Sequence, residues 1–320
     1  MNAQITYTNE GNPQRGRLQS YHSSFSVGGF RKMNKTAFQY DLTHMPSRDS
    51  QQNIFVTQDG ELQSKFSIGF EVEKNSFHRG AMQEYPLFSH FENDNSCGVE
   101  AVTNILPLIG KGVWRNKVLN MMTQAKKILD DNYSPSDRTC GGHITLSCNG
   151  LGGHDLAERM RPFSGIIYAL YRFRLHNKYC RYNIFMDTDS CDWEGINTIH
   201  NSKYQVCKIG TERIEFRLPS RFTSVADMNH RYRLMYEVMD FAVNNPNGKH
   251  SSLLRKLKPI LMMMYNNDEQ KVAEILSLAK SFKKMLMTRK INHDVQPFVD
   301  REQKLKHLYT RTLRRDIENR

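Results

Sequence analysis

The run Lys65-Phe66-Ser67-Ile68-Gly69-Phe70-Glu71-Val72-Glu73 decides how the chain is read. Phe66, Ile68, Phe70 and Val72 alternate with Ser67, Gly69, Glu71 and Glu73, a period of two that marks a β-strand with one apolar face. Side chains two apart on a strand point the same way, so Glu71 and Glu73 project together. Paired carboxylates repel, and each raises the other's pKa unless a cation lies between them. Such a face is either solvated or turned toward a cation, and the rest of the chain bears on which.

Two later segments repeat the design. Thr139-Cys140-Gly141-Gly142-His143-Ile144-Thr145-Leu146-Ser147-Cys148 sets Ile144 and Leu146 against His143, Thr145 and Ser147. The Gly141-Gly142 pair removes side chains where a backbone or ligand comes close. Glu212-Arg213-Ile214-Glu215-Phe216-Arg217-Leu218-Pro219 sets an apolar row against Arg213, Glu215 and Arg217, which form either a cross-strand salt-bridge ladder or a metal-binding glutamate between phosphate-binding arginines. Glu100 follows the turn Asn93 to Gly98 and starts a strand-like run to Ile105, at a sheet edge or facing a site. If these strands share a sheet, Glu71, Glu73, Glu100, His143, Glu215, Arg213 and Arg217 converge on one face. Carboxylates with one imidazole suit Mg²⁺ or Mn²⁺, and arginines suit phosphate.

Around these strands the pattern turns helical. Trp114–Asp131, Asp155–His176 with a break at Pro162, and Asp227–Val243 read as helices. Residues 177–202 read as a loop that could serve as a lid, and their acidic residues lack EF-hand spacing. Asn149 to Gly153 is glycine-rich without a P-loop ending. Residues 1–60 read as an extended, loop-rich leader with weak strands such as Ser24–Val27 and Ile54–Thr57. Residues 61–245 read as the catalytic domain and 246–320 as a basic helical extension, with helices at 251–265, 268–290 and 298–319.

The 320 residues carry 24% charged and 38% hydrophobic residues, enough to bury a core. The net charge of +12 is unevenly placed: residues 246–320 hold 17 Lys and Arg against 8 Asp and Glu, whereas residues 61–245 hold 22 against 21. A basic tail is either a solvated helical face or a binding surface for an anionic partner such as nucleic acid. The six cysteines include no Cys-x-x-Cys pair, and no apolar run reaches membrane-spanning length. The opening Met1-Asn2-Ala3-Gln4 lacks the apolar core of a signal peptide. The expectation is a protein of the cytoplasm with reduced thiols and no membrane contact, in a phage-infected host or a virus particle as further settings.

Gly69-Phe70-Glu71-Val72-Glu73, Asp94-Asn95-Ser96 with Val99-Glu100-Ala101-Val102, Cys140-Gly141-Gly142-His143 and Arg213-Ile214-Glu215-Phe216-Arg217 stand in one order. In that order they resemble the motifs of the amidoligase family, carboxylate–amine ligases related to glutamine synthetase, over roughly residues 65–240. The resemblance implies an α+β fold: an antiparallel β-sheet with flanking helices, like the glutamine synthetase catalytic domain, with the basic helical segment appended. It implies ATP and Mg²⁺ or Mn²⁺ as cofactors, and small-molecule or peptide carboxylates and amines as substrates. Glu71 and Glu73 match the first metal glutamates, Glu100 a second-metal glutamate, His143 a metal histidine near the γ-phosphate and Glu215 the late metal glutamate. Arg217, with Arg213, would stabilise the transferring phosphoryl group. Thr145 stands where the family has a second histidine, so it falls among the nucleotide-binding positions; Asp94 is a lesser candidate for substrate or metal contact. The classes left beside a ligase are a binding or structural protein on a ligase-like scaffold and a metal-dependent nuclease.

Overall fold

A computed structural model of the chain describes residues 63–75, 87–94, 97–103, 106–130, 140–177, 180, 183–187, 205–210 and 213–299, with short strands before them. The expected strand at Ser24–Val27, most of the loop at 177–202 and the final helix beyond residue 299 lie outside the described residues. The chain divides into two compact units, residues 1–151 with 221–229 and residues 152–220 with 230–320.

In the first unit, β1 (Ile5–Thr6) pairs with β2 (Gln39–Tyr40), and β3 (Pro46–Asp49), β4 (Ile54–Thr57) and β5 (Gln63–Ser64) form a small antiparallel sheet. The strand that the opening run predicts is β6 (Phe66–Lys74). It is followed by the hairpin β7 (Phe88–Asp94) and β8 (Gly98–Thr103), the short β9 (Leu106–Pro107), helices α1 (Gly112–Met121) and α2 (Lys126–Leu129), and β10 (Gly142–Cys148). Strand β6 is central: it pairs antiparallel with β10 on one side and with β8 and β9 on the other.

The alternation in sequence becomes the two faces of this sheet. Phe66, Ile68 and Phe70 stand opposite Cys148, Leu146 and Ile144, and Phe70 meets Phe222 edge to face at 5.5 Å between ring centroids. The polar row registers just as strictly: Ser67 with Ser147, Gly69 with Thr145, Glu71 with His143. Both faces of β6 are buried, so the polar face is an interior one and the solvated alternative fails. A one-residue slip would carry the whole apolar row to the other face, which is what locks the register.

The second unit holds α3 (Gly153–Met160), a 3₁₀ turn at Arg161–Phe163, α4 (Gly165–Leu170), the antiparallel pair β11 (Cys207–Ile209) and β12 (Ile214–Phe216), and four further helices. These are α5 (Val225–Asn244), which begins within the first unit, α6 (His250–Met264), α7 (Glu269–Thr288) and α8 (Gln296–Val299). The expected single helix from Asp155 to His176 is broken as Pro162 predicts, since proline has no N–H to donate inside a helix. Gly165 lets α4 and α7 touch backbone to backbone: a Cβ there would stand 2.3 Å from the Ala279 carbonyl oxygen.

Within the first unit the sheet runs β10-β6-β8-β7, with β9 also on β6, and within the second β11 pairs with β12. The architecture is α+β, an antiparallel sheet with helices. Among the described residues, no helix is long and apolar enough to cross a membrane, and the five described cysteines are free and buried.

Candidate metal centre

Strand register builds the centre from the first unit. Glu71 on β6 and His143 on β10 are direct cross-strand partners, and Nδ1 of His143 lies 2.6 Å from Oε2 of Glu71. Two residues along β6, on the same face, Glu73 brings Oε1 to 3.1 Å from Nε2 of the same ring. One imidazole thus bridges two carboxylates. All three residues are buried, at 1%, 4% and 4% exposure for Glu71, Glu73 and His143. A carboxylate removed from water must be matched by donors or cations.

Just before β10, the backbone N–H of Gly141 donates to Oε2 of Glu73. A charge-assisted bond of this kind holds the carboxylate in one orientation. On the other side of β6, Glu100 of β8 stands directly opposite Glu73 and is also buried. Cross-strand partners have Cβ atoms roughly 4.5–5.5 Å apart, and like charges in that relation destabilise a sheet. A buried Glu73–Glu100 pair is therefore an arrangement that favours a cation.

Glu215 lies in the middle of β12, buried, and accepts a hydrogen bond from the Arg217 guanidinium. Arg217 is itself anchored by its backbone N–H to the Val206 carbonyl at 2.9 Å. Arg213 is half-buried beside the turn between β11 and β12, where its carbonyl accepts from Gly210 at 2.8 Å. One ligand atom each from Glu71, His143 and Glu215 lies within 4.8 Å of the others, and this buried group could hold a metal ion. Two carboxylate oxygens and one imidazole nitrogen fit Mn²⁺ or Mg²⁺ better than a thiolate-seeking metal.

Thr145 occupies the next outward step of the polar row, opposite Gly69. It is 2% exposed, and its hydroxyl has no hydrogen-bond partner among the described residues. Further along, the hydroxyls of Ser67 and Ser147 bond to each other. Sequence reasoning missed two features. It did not foresee that His143 touches both glutamates, and it did not assign Phe88–Asp94 as a strand, which places Glu92 opposite Glu100 in register. The signal for that strand was the alternation of Phe88 with Ser89 and Phe91 with Glu92, broken by the irregularity between Phe88 and His90. The side chain of Asp94 lies outside the described residues. Compared with known proteins, the chain matches no family model and no curated protein.

Proposed function

We propose that the protein is an ATP-dependent ligase that joins a carboxylate to an amine through an acyl phosphate, on a fold like the glutamine synthetase catalytic domain. The observation that carries this reading is the buried group of Glu71, His143 and Glu215, with Glu73 bonded to the same imidazole. Mg²⁺ or Mn²⁺ bound there would neutralise the phosphate charge of ATP. The substrate carboxylate oxygen attacks the γ-phosphorus, the bond to the β-phosphate oxygen breaks, and ADP leaves. Arg217, oriented by Glu215, offers fixed positive charge to the transferring group, with Arg213 as its neighbour on the same strand face. The amine nitrogen then attacks the acyl carbon, phosphate leaves, and the amine's proton passes to solvent. Thr145 and His143 line the approach to the nucleotide phosphates, and Glu100 completes the acidic row.

Isothermal titration tests this directly. ATP should bind in the presence of Mg²⁺ or Mn²⁺ and not in EDTA, and Glu71→Ala should weaken binding at least about tenfold, the loss of one good charge contact of roughly 1.4 kcal/mol. Mass spectrometry with pooled amino acids and peptides should show products lighter by one water than their two parents, with ADP formed in equal amount. ATP binding of equal strength without metal would overturn the proposal.

A further inference from the structure

Helices α6 and α7 are joined by only four residues, Tyr265 to Asp268, so they run antiparallel as a hairpin. The turn is closed by the Asp268 carboxylate, which accepts from the Lys271 N–H at 2.9 Å and caps α7. Antiparallel packing brings the first half of α6 beside the last half of α7. Those two halves are where the basic residues are. Lys249, Arg255 and Lys258 on the one side, and Lys280, Lys284 and Lys290 on the other, are all exposed. The carboxylates of α7 sit at its opposite end: Glu269 lies in the first turn, and Glu274 is held by Arg172 and Lys271.

The acidic groups that do come near this end are already engaged. Glu237 faces Lys256 at 3.8 Å, Asp294 accepts from the Ser281 hydroxyl at 2.7 Å, and Asp187 holds Arg289 at 2.8 Å. Among the described residues, none of the six exposed basic side chains forms an ion pair. The N-terminal end of α6 adds its own partial positive charge to the same place. His250, in the first turn of α6, senses this field: after burial, the largest influences on its ring are Lys283 and Lys280.

We propose that this end of the α6–α7 hairpin is a docking surface for the phosphate backbone of nucleic acid, read by charge and not by base sequence. The positive groups are spread over two helices, on α6 across more than two turns from Lys249 to Lys258, a length that suits a polyanion. Lysines one helical turn apart, about 6 Å in rise, meet a polyanion that presents a charge every ~1.7 Å of duplex axis, whatever its register. Among the described residues no exposed Phe, Tyr or Trp lies at this end to stack on bases, so sequence preference is not expected. The inference does not depend on the ligase reading.

The test is fluorescence anisotropy of the full chain with a labelled 20-base-pair duplex DNA and an RNA of equal length. With six phosphate contacts, log K should fall against log salt with a slope of about −5, a loss of roughly a thousandfold between about 50 and 200 mM salt. The double variant Lys280→Gln with Lys284→Gln keeps the fold, since both are exposed, and should reduce that slope by about 2. Lys126→Gln, on α2 and paired with Asp130, should leave it unchanged. Absence of binding at low salt, or an unchanged slope in the double variant, overturns the proposal. So does tighter binding of polyglutamate or of phosphatidylserine vesicles than of the DNA at equal charge and salt, which would assign the surface to an acidic polypeptide or a membrane instead.

Discussion

Replacing His143 by alanine removes the group that separates two buried carboxylates. In the native chain the ring lies 2.6 Å from Glu71 and 3.1 Å from Glu73, and neither glutamate is more than 4% exposed. Without the ring, both carboxylates keep their desolvation penalty and gain mutual repulsion. Breaking a buried charged network by removing one partner costs about 3–5 kcal/mol. For a chain of this size each kcal/mol lowers Tm by roughly 2–4 °C, so His143→Ala should melt on the order of 10 °C below the parent in EDTA, measured by circular dichroism. Adding Mn²⁺ separates a metal centre from a purely structural one. A cation bound only by the native state stabilises by about 2.7 kcal/mol at a hundred times its Kd. Mn²⁺ should therefore raise the Tm of the parent by several degrees and leave that of Glu71→Gln almost unmoved. A His143→Ala protein as stable as the parent in EDTA would refute the reasoning, because it would mean that the two carboxylates do not rely on the imidazole.

Other consequences can be checked separately. Gly153→Ala places a Cβ 1.9 Å from the Gly210 carbonyl oxygen and 2.6 Å from that of Arg213, so it must push the β11–β12 turn off α3 and cost about 2–3 kcal/mol in urea denaturation. The imidazole of His250 is lowered from 6.5 to about 4, by burial first and then by Lys283 and Lys280. The unfolded chain therefore takes up a proton where the folded one does not, and stability should fall as pH drops from 6.5 toward 4, with His250→Gln flattening that part of the pH profile. Thr145→Val removes a buried hydroxyl that has no partner among the described residues. It should leave Tm unchanged or raise it by up to a few degrees, while titration shows weaker ATP binding if the hydroxyl serves the nucleotide.

How much of this was legible in the sequence follows from how local each signal is. The faces of β6 and β10 were readable because period-two alternation survives intact from Phe66 to Glu73 and from His143 to Ser147. The third strand, read over Glu212 to Pro219, shrinks to Ile214–Phe216, paired with Cys207–Ile209. Boundaries like these depend on which hydrogen bonds a neighbour supplies, and that is not written in either strand alone. The helix read over Trp114 to Asp131 is interrupted by a 3₁₀ stretch at Met122–Ala125, whose Met122 and Ala125 are buried. The apolar spacing was right, and only the winding differs. What no local pattern could give is the pairing of residue 71 with residue 143. Sequence put a glutamate and a histidine on two polar rows; only the register of β6 against β10 puts them face to face.

That register also bears on whether the polar row exists for stability alone. A sheet interior selected only for stability gains by replacing charged groups with apolar ones of similar volume, often by about 1–4 kcal/mol. Here the interior face instead keeps Glu71, Glu73, Glu100 and His143 buried within two neighbouring strand pairs. It also sets two glutamates opposite each other and leaves the Thr145 hydroxyl, opposite a residue with no side chain, without a partner among the described residues. Each of these choices costs folding energy, and they fall side by side on one face of one sheet. The apolar face of the same strands differs: Ile68, Phe70, Ile144 and Leu146 are fully buried hydrocarbon, and its one buried charge on β6, Lys74, donates to the Ile128 carbonyl at 2.8 Å. The contrast between the two faces of β6 is the cost expected of a binding site, and it is why the polar face is the one proposed to meet a ligand.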